Sequence, residues 1–278
     1  MTVVIDGKGL SERIINNLKD NNISPTLAVI LVGNNPASEI YVRNKEKSCE
    51  KAGIVSKLFK YDEDIQEKEL LEKICQLNND DSIDAILVQL PLPEHIDENK
   101  ITKAILPEKD VDGFTPVNIG LLASGLKPYA YPCTPKGIMT ILKEYNINPD
   151  GKHAVVVGRS NIVGKPLSIM LLNANATVTT CHSHTKNLKD ITKTADILVV
   201  AVGKPKFITA EMVKEGAVVI DVGISRIDGK LCGDVDFESV SGKTAFITPV
   251  PKGVGPMTIA SLMENTVELY KNRQKIRG

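Results

Sequence analysis

The sequence predicts an α/β protein in two halves, each a mostly parallel sheet with helices on its faces. Three observations predict this. Apolar runs of strand length alternate with segments of helical periodicity along most of the 278 residues. Most of those runs are apolar throughout, as strands covered on both faces must be. Glycine, proline and tyrosine then interrupt the pattern near 118–132, and a second α/β series follows, so the halves are expected at 1–120 and 121–256.

Taken in order, TLAVILVG (26–33) reads as a buried strand and 36–52 as a helix. IVSKLFKY (54–61) is a strand of alternating pattern, 65–78 a charged helix, and DAILVQL (84–90) a further strand. The segment 90–118 is rich in proline and aspartate, which predicts mostly loop with one short helix. The second series runs through a helix at 134–146, a strand HAVVVG (153–158), a helix from 164 and a strand ATVTTC (176–181). Buried strands ADILVVAVG (195–203) and GAVVIDVG (216–223) follow. The stretch 257–273 is an amphipathic helix, apolar at Ile259, Leu262, Met263, Val267 and Tyr270.

Composition excludes several function classes. Lys+Arg and Asp+Glu both number 34, Trp is absent and aromatics are 4%, so neither a basic field nor stacking platforms call for nucleic acid. The apolar runs all fall short of the roughly 20 residues of a membrane span, and MTVVIDGKGL lacks the pattern of a signal peptide. Five scattered cysteines without C-x-x-C predict reduced thiols in a cytoplasm, with neither a disulfide framework nor a zinc site.

The stretch GKHAVVVGRSNIVGKPLSIML is a strand, a glycine turn and a helix start. Gly158 lets the chain turn tightly, and Gly164 lets backbone come close to a diphosphate at a helix N-terminus; Pro166 suits the first helical turn. A plain strand-turn-helix unit is the alternative. The next strand sharpens the reading. An NAD-preferring site places an acid at its end, whereas TVTTCHSHTKN offers Cys181, His182, Ser183, His184, Thr185 and Lys186. With Arg159 in the glycine turn, these residues suit a 2′-phosphate and favour NADP over NAD. His182 and His184 share a strand face but have no obvious third ligand nearby, and D-V-D-G (110–113) lacks the later acids of a calcium loop, so no metal is expected.

On a helix at about 100° per residue, Ala37, Tyr41, Ser48 and Ala52 fall in one sector flanked by Ile40 and Cys49, with Arg43, Glu46, Lys47 and Glu50 opposite. Lys45 falls inside the small and apolar sector. A lysine aimed inward costs desolvation unless paired, and such a group suits acid/base work; the alternative is a packed stem with its ammonium in water. Gln89 ends a strand of a parallel sheet, where ligands bind, and Asp112 lies in the loop beyond. Each has an ordinary reading as well, a strand-end cap and an Asx turn.

Six segments together resemble one family, the bifunctional methylenetetrahydrofolate dehydrogenase/cyclohydrolases: PASEIYVRNK (36–45), VQLPLP (88–93), PEKDVDGF (107–114), PCTPKG (132–137), GRSNIVGKP (158–166) and TPVPKGVGPMT (248–258). The resemblance implies a three-layer α/β catalytic domain, a Rossmann-like NADP-binding domain, a cleft between them, and a terminal helix 257–278 returning to the first. It implies oxidation of 5,10-methylenetetrahydrofolate by NADP+ and hydrolysis of the product to 10-formyltetrahydrofolate, a one-carbon donor for purine biosynthesis, by a cytoplasmic homodimer. It makes Lys45 the central acid/base residue, tuned by Gln89. Tyr41 packs on the folate, Asp112 holds the pterin and Ser38 lines the same region. Gly253 and Pro256 fall on the folate side. Arg159, Ser160, Ser183 and Ile224 match cofactor contacts, with Gly158 and Gly164 in the turn. Two departures stand out. Asn35 replaces an aspartate and is expected still to cap the helix. Lys252 replaces a glycine, which is strained if the position needs φ > 0. Competing readings are another NADP-dependent oxidoreductase of shikimate- or amino-acid-dehydrogenase type, or a non-catalytic nucleotide-binding protein. Neither accounts for Tyr41 and Lys45 together with VQLPLP.

Overall fold

The computed structural model describes residues 1–20, 22–227 and 229–277. The first elements are β1 (Val3–Val4), α1 (Gly7–Leu18), β2 (Thr26–Val32), α2 (Pro36–Ala52), β3 (Val55–Tyr61), α3 (Glu67–Asn79) and β4 (Ala85–Val88). Then come α4 (Glu98–Ala104), α5 (Pro116–Ala123), α6 (Cys133–Glu144), β5 (His153–Val157), α7 (Gly164–Asn173), β6 (Thr177–Cys181), α8 (Leu188–Thr192) and β7 (Ile197–Val200). The chain closes with β8 (Val218–Asp221), β9 (Ser225–Ile227), β10 (Lys230–Cys232), α9 (Phe237–Ser241), β11 (Phe246–Ile247) and α10 (Val254–Arg277). They form two compact units: Glu12–Cys133 with Ile259–Gly278, and Met1–Ser11 with Thr134–Thr258.

The unit built on 12–133 holds a three-stranded parallel sheet in the order β3-β2-β4. Strand β2 is TLAVILV, apolar after its first residue, because both its faces are covered. Leu27, Val29 and Leu31 pack with Val42, Cys49 and Ala52 of α2 and with Leu262, Met263 and Val267 of α10. Ala28, Ile30 and Val32 face the other way, onto Leu70, Ile74 and Leu77 of α3 and Ile101 of α4. That gives the three expected layers. Edge strand β3 keeps Val55 and Leu58 exposed.

The other unit is a six-stranded sheet in the order β1-β11-β8-β7-β5-β6, and every pairing is parallel. Its β5, β7 and β8 are the three apolar runs of the second series, and Val155, Val157, Leu198, Val200 and Val219 share one core. Strands β9 and β10 form a separate antiparallel hairpin. The segment 90–118 holds α4, and α5 begins at its end, capped by the Thr115 hydroxyl accepting from Asn118 N. The terminal helix runs farther than 257–273 at both ends; Gly278, the last residue of the expected 257–278, lies outside the described residues. Among the described residues no helix is long and apolar enough to cross a membrane.

Candidate functional site

In the unit with the three-stranded sheet, α2 begins as the sequence implies. The Asn35 side-chain oxygen accepts from Ser38 N at 3.3 Å, so this asparagine caps the helix. The buried arc of α2 consists of Ser38, Val42, Cys49 and Ala52. On the helical wheel Lys45 falls in the middle of that arc, and it is half-buried. The arc is thus turned about one residue from the sector centred on Tyr41 and Ser48: Val42 joins it, and Ile40 leaves it for solvent at 53% exposure. The side chain of Ala37 lies outside the described residues. Tyr41, 43% exposed one turn before Lys45, presents its ring at the edge of the arc.

Lys45 is paired. Its Nζ donates to Gln89 Oε1 at 2.9 Å. Gln89 in turn donates from Nε2 to the Leu90 carbonyl at 2.7 Å, which fixes the orientation of its amide and leaves the oxygen facing the lysine. The backbone of Gln89 is held by the sheet, its N–H donating to Ile30 O at 2.9 Å. The side chain therefore projects from the carboxyl end of β4 as an anchored acceptor. One ammonium N–H points at Gln89, and two remain for a bound molecule.

Asp112 completes the group. Burial pushes its carboxyl up to about 6; the nearby charge of Lys45 opposes that shift, the negative charge of Asp110 adds to it, and a hydrogen bond from the Cys133 thiol lowers it. Its loop is tightly held. Asp110 is buried, and its Oδ1 accepts from Gly113 N at 3.0 Å. Its Oδ2 accepts from Thr115 N at 2.7 Å and Asn118 Nδ2 at 3.0 Å. Gly113 has φ +71°, and a Cβ there would stand 2.6 Å from Ala130 O, so only glycine fits the turn. The structure thus brings Ser38, Lys45, Gln89 and Asp112 together in one unit, with Tyr41 beside them. Asp110, Asn118 and Cys133 were not singled out from the sequence. The two acids of D-V-D were a visible signal for Asp110, whereas the others come from long-range packing.

In the unit with the six-stranded sheet, the glycine turn joins β5 to α7. Gly158 has φ +126°, and a Cβ on it would lie 2.2 Å from Ala201 O. A Cβ on Gly164 would lie 2.1 Å from Gly158 O, so this glycine lets the turn fold onto itself as well as leaving room for a ligand. The exposed Ser160 has its hydroxyl accepting from Val163 N at 3.2 Å and Gly164 N at 3.4 Å, which ties the turn to the first residue of α7. Arg159 and Ser183 are exposed. His182 is shifted toward its neutral form by desolvation first, then by Arg159 and by His184. Arg159 and the two histidines are thus gathered at the ends of β5 and β6, where the guanidinium charge and nearby ring nitrogens suit a phosphate dianion. Ile224, 48% exposed, follows β8. Its turn is anchored by buried Asp221, whose Oδ1 accepts from Gly223 N and from Asp234 N, both at 3.0 Å. Among the residues described, these fit an NADP molecule: a Cβ-free turn at a helix start, and a cationic rim in place of an acid.

Gly253 is buried, and a Cβ on it would lie 2.4 Å from Pro249 O; the Pro256 carbonyl accepts from the Ser11 hydroxyl at 2.9 Å. Lys252 has φ +83°, the left-handed conformation in which a side chain is strained. Replacing it with glycine is expected to raise stability by about 1 kcal/mol, read as a higher midpoint in urea denaturation. An unchanged or lower midpoint would count against strain at this position.

Comparison with known proteins matches both units to one family. The family description "Tetrahydrofolate dehydrogenase/cyclohydrolase, catalytic domain" fits residues 5–112, and "Tetrahydrofolate dehydrogenase/cyclohydrolase, NAD(P)-binding domain" fits residues 132–274. The bifunctional protein FolD of Agathobacter rectalis is 58% identical, with 98% of this chain and 100% of that protein covered. A crystal structure of the bifunctional FolD dehydrogenase/cyclohydrolase from Campylobacter jejuni superposes with a TM-score of 0.97 at 52% identity, covering 98% of this chain and 100% of that one. The Trypanosoma brucei FolD enzyme, solved with NADP cofactor and an inhibitor, has a TM-score of 0.92 at 35% identity, covering 100% and 99%.

Proposed function

The chain belongs to the tetrahydrofolate dehydrogenase/cyclohydrolase family, and from that premise we propose how its own residues carry two successive reactions. It oxidises 5,10-methylenetetrahydrofolate to the 5,10-methenyl cation with NADP+ and hydrolyses that cation to 10-formyltetrahydrofolate. The observation that carries the reading is the Lys45–Gln89 pair, 2.9 Å apart at the end of a parallel strand and within the field of Asp112.

NADP+, when bound, accepts the hydride. The protein's part in that step is positioning: two rings must be held face to face, and no side chain has to react. Tyr41 offers an exposed ring for the folate to pack on, and Asp112 a carboxyl for the pterin. Hydrolysis asks more. Water adds to the cationic carbon and must lose a proton, and the ring nitrogen that leaves must gain one. Lys45 moves that proton, held toward the reacting carbon by Gln89. Arg159, His182 and Ser183 hold the 2′-phosphate, and Gly158, Ser160, Gly164 and Ile224 shape the remainder of the cofactor wall. We place the enzyme in the cytoplasm as a homodimer supplying one-carbon units to purine biosynthesis; light scattering on the purified chain tests the assembly.

The function is tested by offering methylenetetrahydrofolate with NADP+ and then with NAD+ and following methenyl formation and decay. Absence of turnover with both cofactors would overturn the reading. Arg159→Ala is expected to raise the Michaelis constant for NADP+ by about tenfold or more, the worth of a charge-assisted hydrogen bond, and that for NAD+ far less. An equal rise for both would remove the 2′-phosphate from Arg159.

A further inference from the structure

Asp112 is supported from behind by a residue of the terminal helix. Asn265 on α10 is fully buried. Its Nδ2 donates to Val111 O at 2.9 Å and to Tyr131 O at 2.8 Å, so both amide hydrogens are committed. The first acceptor is the peptide immediately before Asp112. The second lies two residues before Cys133, whose thiol donates to Val111 O at 3.5 Å and, beside the Asp112 carboxyl, favours its charged form. Between these segments sits the sulfur itself, 3.5 Å from Asn265 Nδ2 and 3.5 Å from Val111 O. One side chain thus ties together the backbone that carries Asp112 and the thiol that touches its carboxyl. The Asp110–Asn118 network holds the opposite side of the same loop, with Asn118 Oδ1 accepting from Tyr129 N at 3.0 Å.

We propose that Asn265 is a positioning residue for Asp112: through the 111–112 backbone and the Cys133 thiol, it sets where the carboxyl stands and how the pterin end of the folate is held. The proposal rests on the reading of Asp112 given above. A buried amide with two carbonyl acceptors has no alternative arrangement of equal energy, so its removal frees two carbonyls and lets the loop settle elsewhere. The charged and titratable groups acting on Asp112 are Lys45 on α2, Asp110 in its own loop and Cys133 at the start of α6; α10 brings the neutral Asn265.

The test compares Asn265→Ala, Cys133→Ala, Cys133→Ser and Asp112→Asn in steady-state kinetics from about pH 5 to 9, with thermal melts as a control for folding. Asn265→Ala is expected to raise the KM for methylenetetrahydrofolate about tenfold, while the KM for NADP+ moves less than about twofold. Cys133→Ala is expected to shift the acid limb of the folate KM profile to higher pH, because the carboxylate loses a donor, and Cys133→Ser to return it. Wild-type folate KM in Asn265→Ala, or an unmoved acid limb in Cys133→Ala, overturns the proposal; if Asn265→Ala does not fold, the cysteine pair alone decides. Should Asp112→Asn also leave the folate KM unchanged, the reading of Asp112 falls. Should it raise that KM while the other variants do not, the positioning role alone falls.

Discussion

Replacing Lys45 with methionine is expected to lower methenyl hydrolysis by about 10²–10⁴-fold, the usual contribution of a positioned acid/base group, and to damage dehydrogenation much less. Methionine keeps most of the stem that fills the buried arc of α2, so the packing loss is small. The chemical loss is large: Gln89 Oε1 loses the donor 2.9 Å away, and no N–H remains to shuttle a proton. Hydride transfer does not pass through the lysine and suffers only from looser placement of the folate. Arginine at the same position refines the test. It keeps the charge but does not deprotonate in proteins, so a proton shuttle fails with arginine, whereas a purely electrostatic group survives. Wild-type methenyl decay in Lys45→Met would refute the assignment, and full recovery in Lys45→Arg would change the role from proton transfer to charge.

Gly158→Ala is expected to be the most damaging single-methyl change in the nucleotide-binding unit. Two costs coincide. The φ of +126° is a glycine conformation, and the added Cβ would meet Ala201 O at 2.2 Å. Strain and overpacking together cost on the order of 2–5 kcal/mol. Gly125→Ala is the natural control: its φ is +71°, but a Cβ there meets nothing within 4 Å, so about 1 kcal/mol is expected. Calorimetry should show the contrast directly. Dehydrogenase activity should fall with Gly158→Ala more than methenyl hydrolysis does, because Lys45, Gln89 and Asp112 belong to the other unit. Dehydrogenase activity within twofold of wild type would mean that the turn absorbs a methyl group the geometry says it cannot.

Much of this was legible in the sequence because it rests on local pattern. The span 36–52 matches α2, and the inward lysine was found from the helical wheel alone, although the wheel omitted Val42 and so placed the centre of the arc one residue off. The buried strands β2, β5, β7 and β8 announced themselves as continuous apolar runs, since both faces of each sheet are covered. What escaped has a common cause. Strands β1 and β11 are two residues each; β1 exists because it pairs with β11 over most of the chain length, and β11 because it lies between β1 and β8. The hairpin of β9 and β10 has three-residue strands with exposed side chains. Helix α1 carries Leu10, Ile14, Ile15 and Leu18 at helical spacing, but glycines at 7 and 9 speak against a helix start. The support for Asp112 by Asn265, 154 residues away from Val111, has no local signature at all.

The composition of the two cores carries a consequence for biosynthesis. Leu27, Val29 and Leu31 of β2 are covered partly by Leu262, Met263 and Val267, so a ribosome must make nearly the whole chain before the first sheet can bury that face. Strand β1, among the first residues to emerge, waits for β11 in the same way. The unit with the six-stranded sheet has all its segments once residue 258 is made, whereas the three-stranded sheet stays open on one side until the rest of α10 follows. Apolar surface left open in this way is what makes partly made chains prone to aggregate. A stop codon just before residue 259 would leave a chain that keeps Lys45, Gln89 and Asp112 in sequence but lacks the helix that completes the core around them.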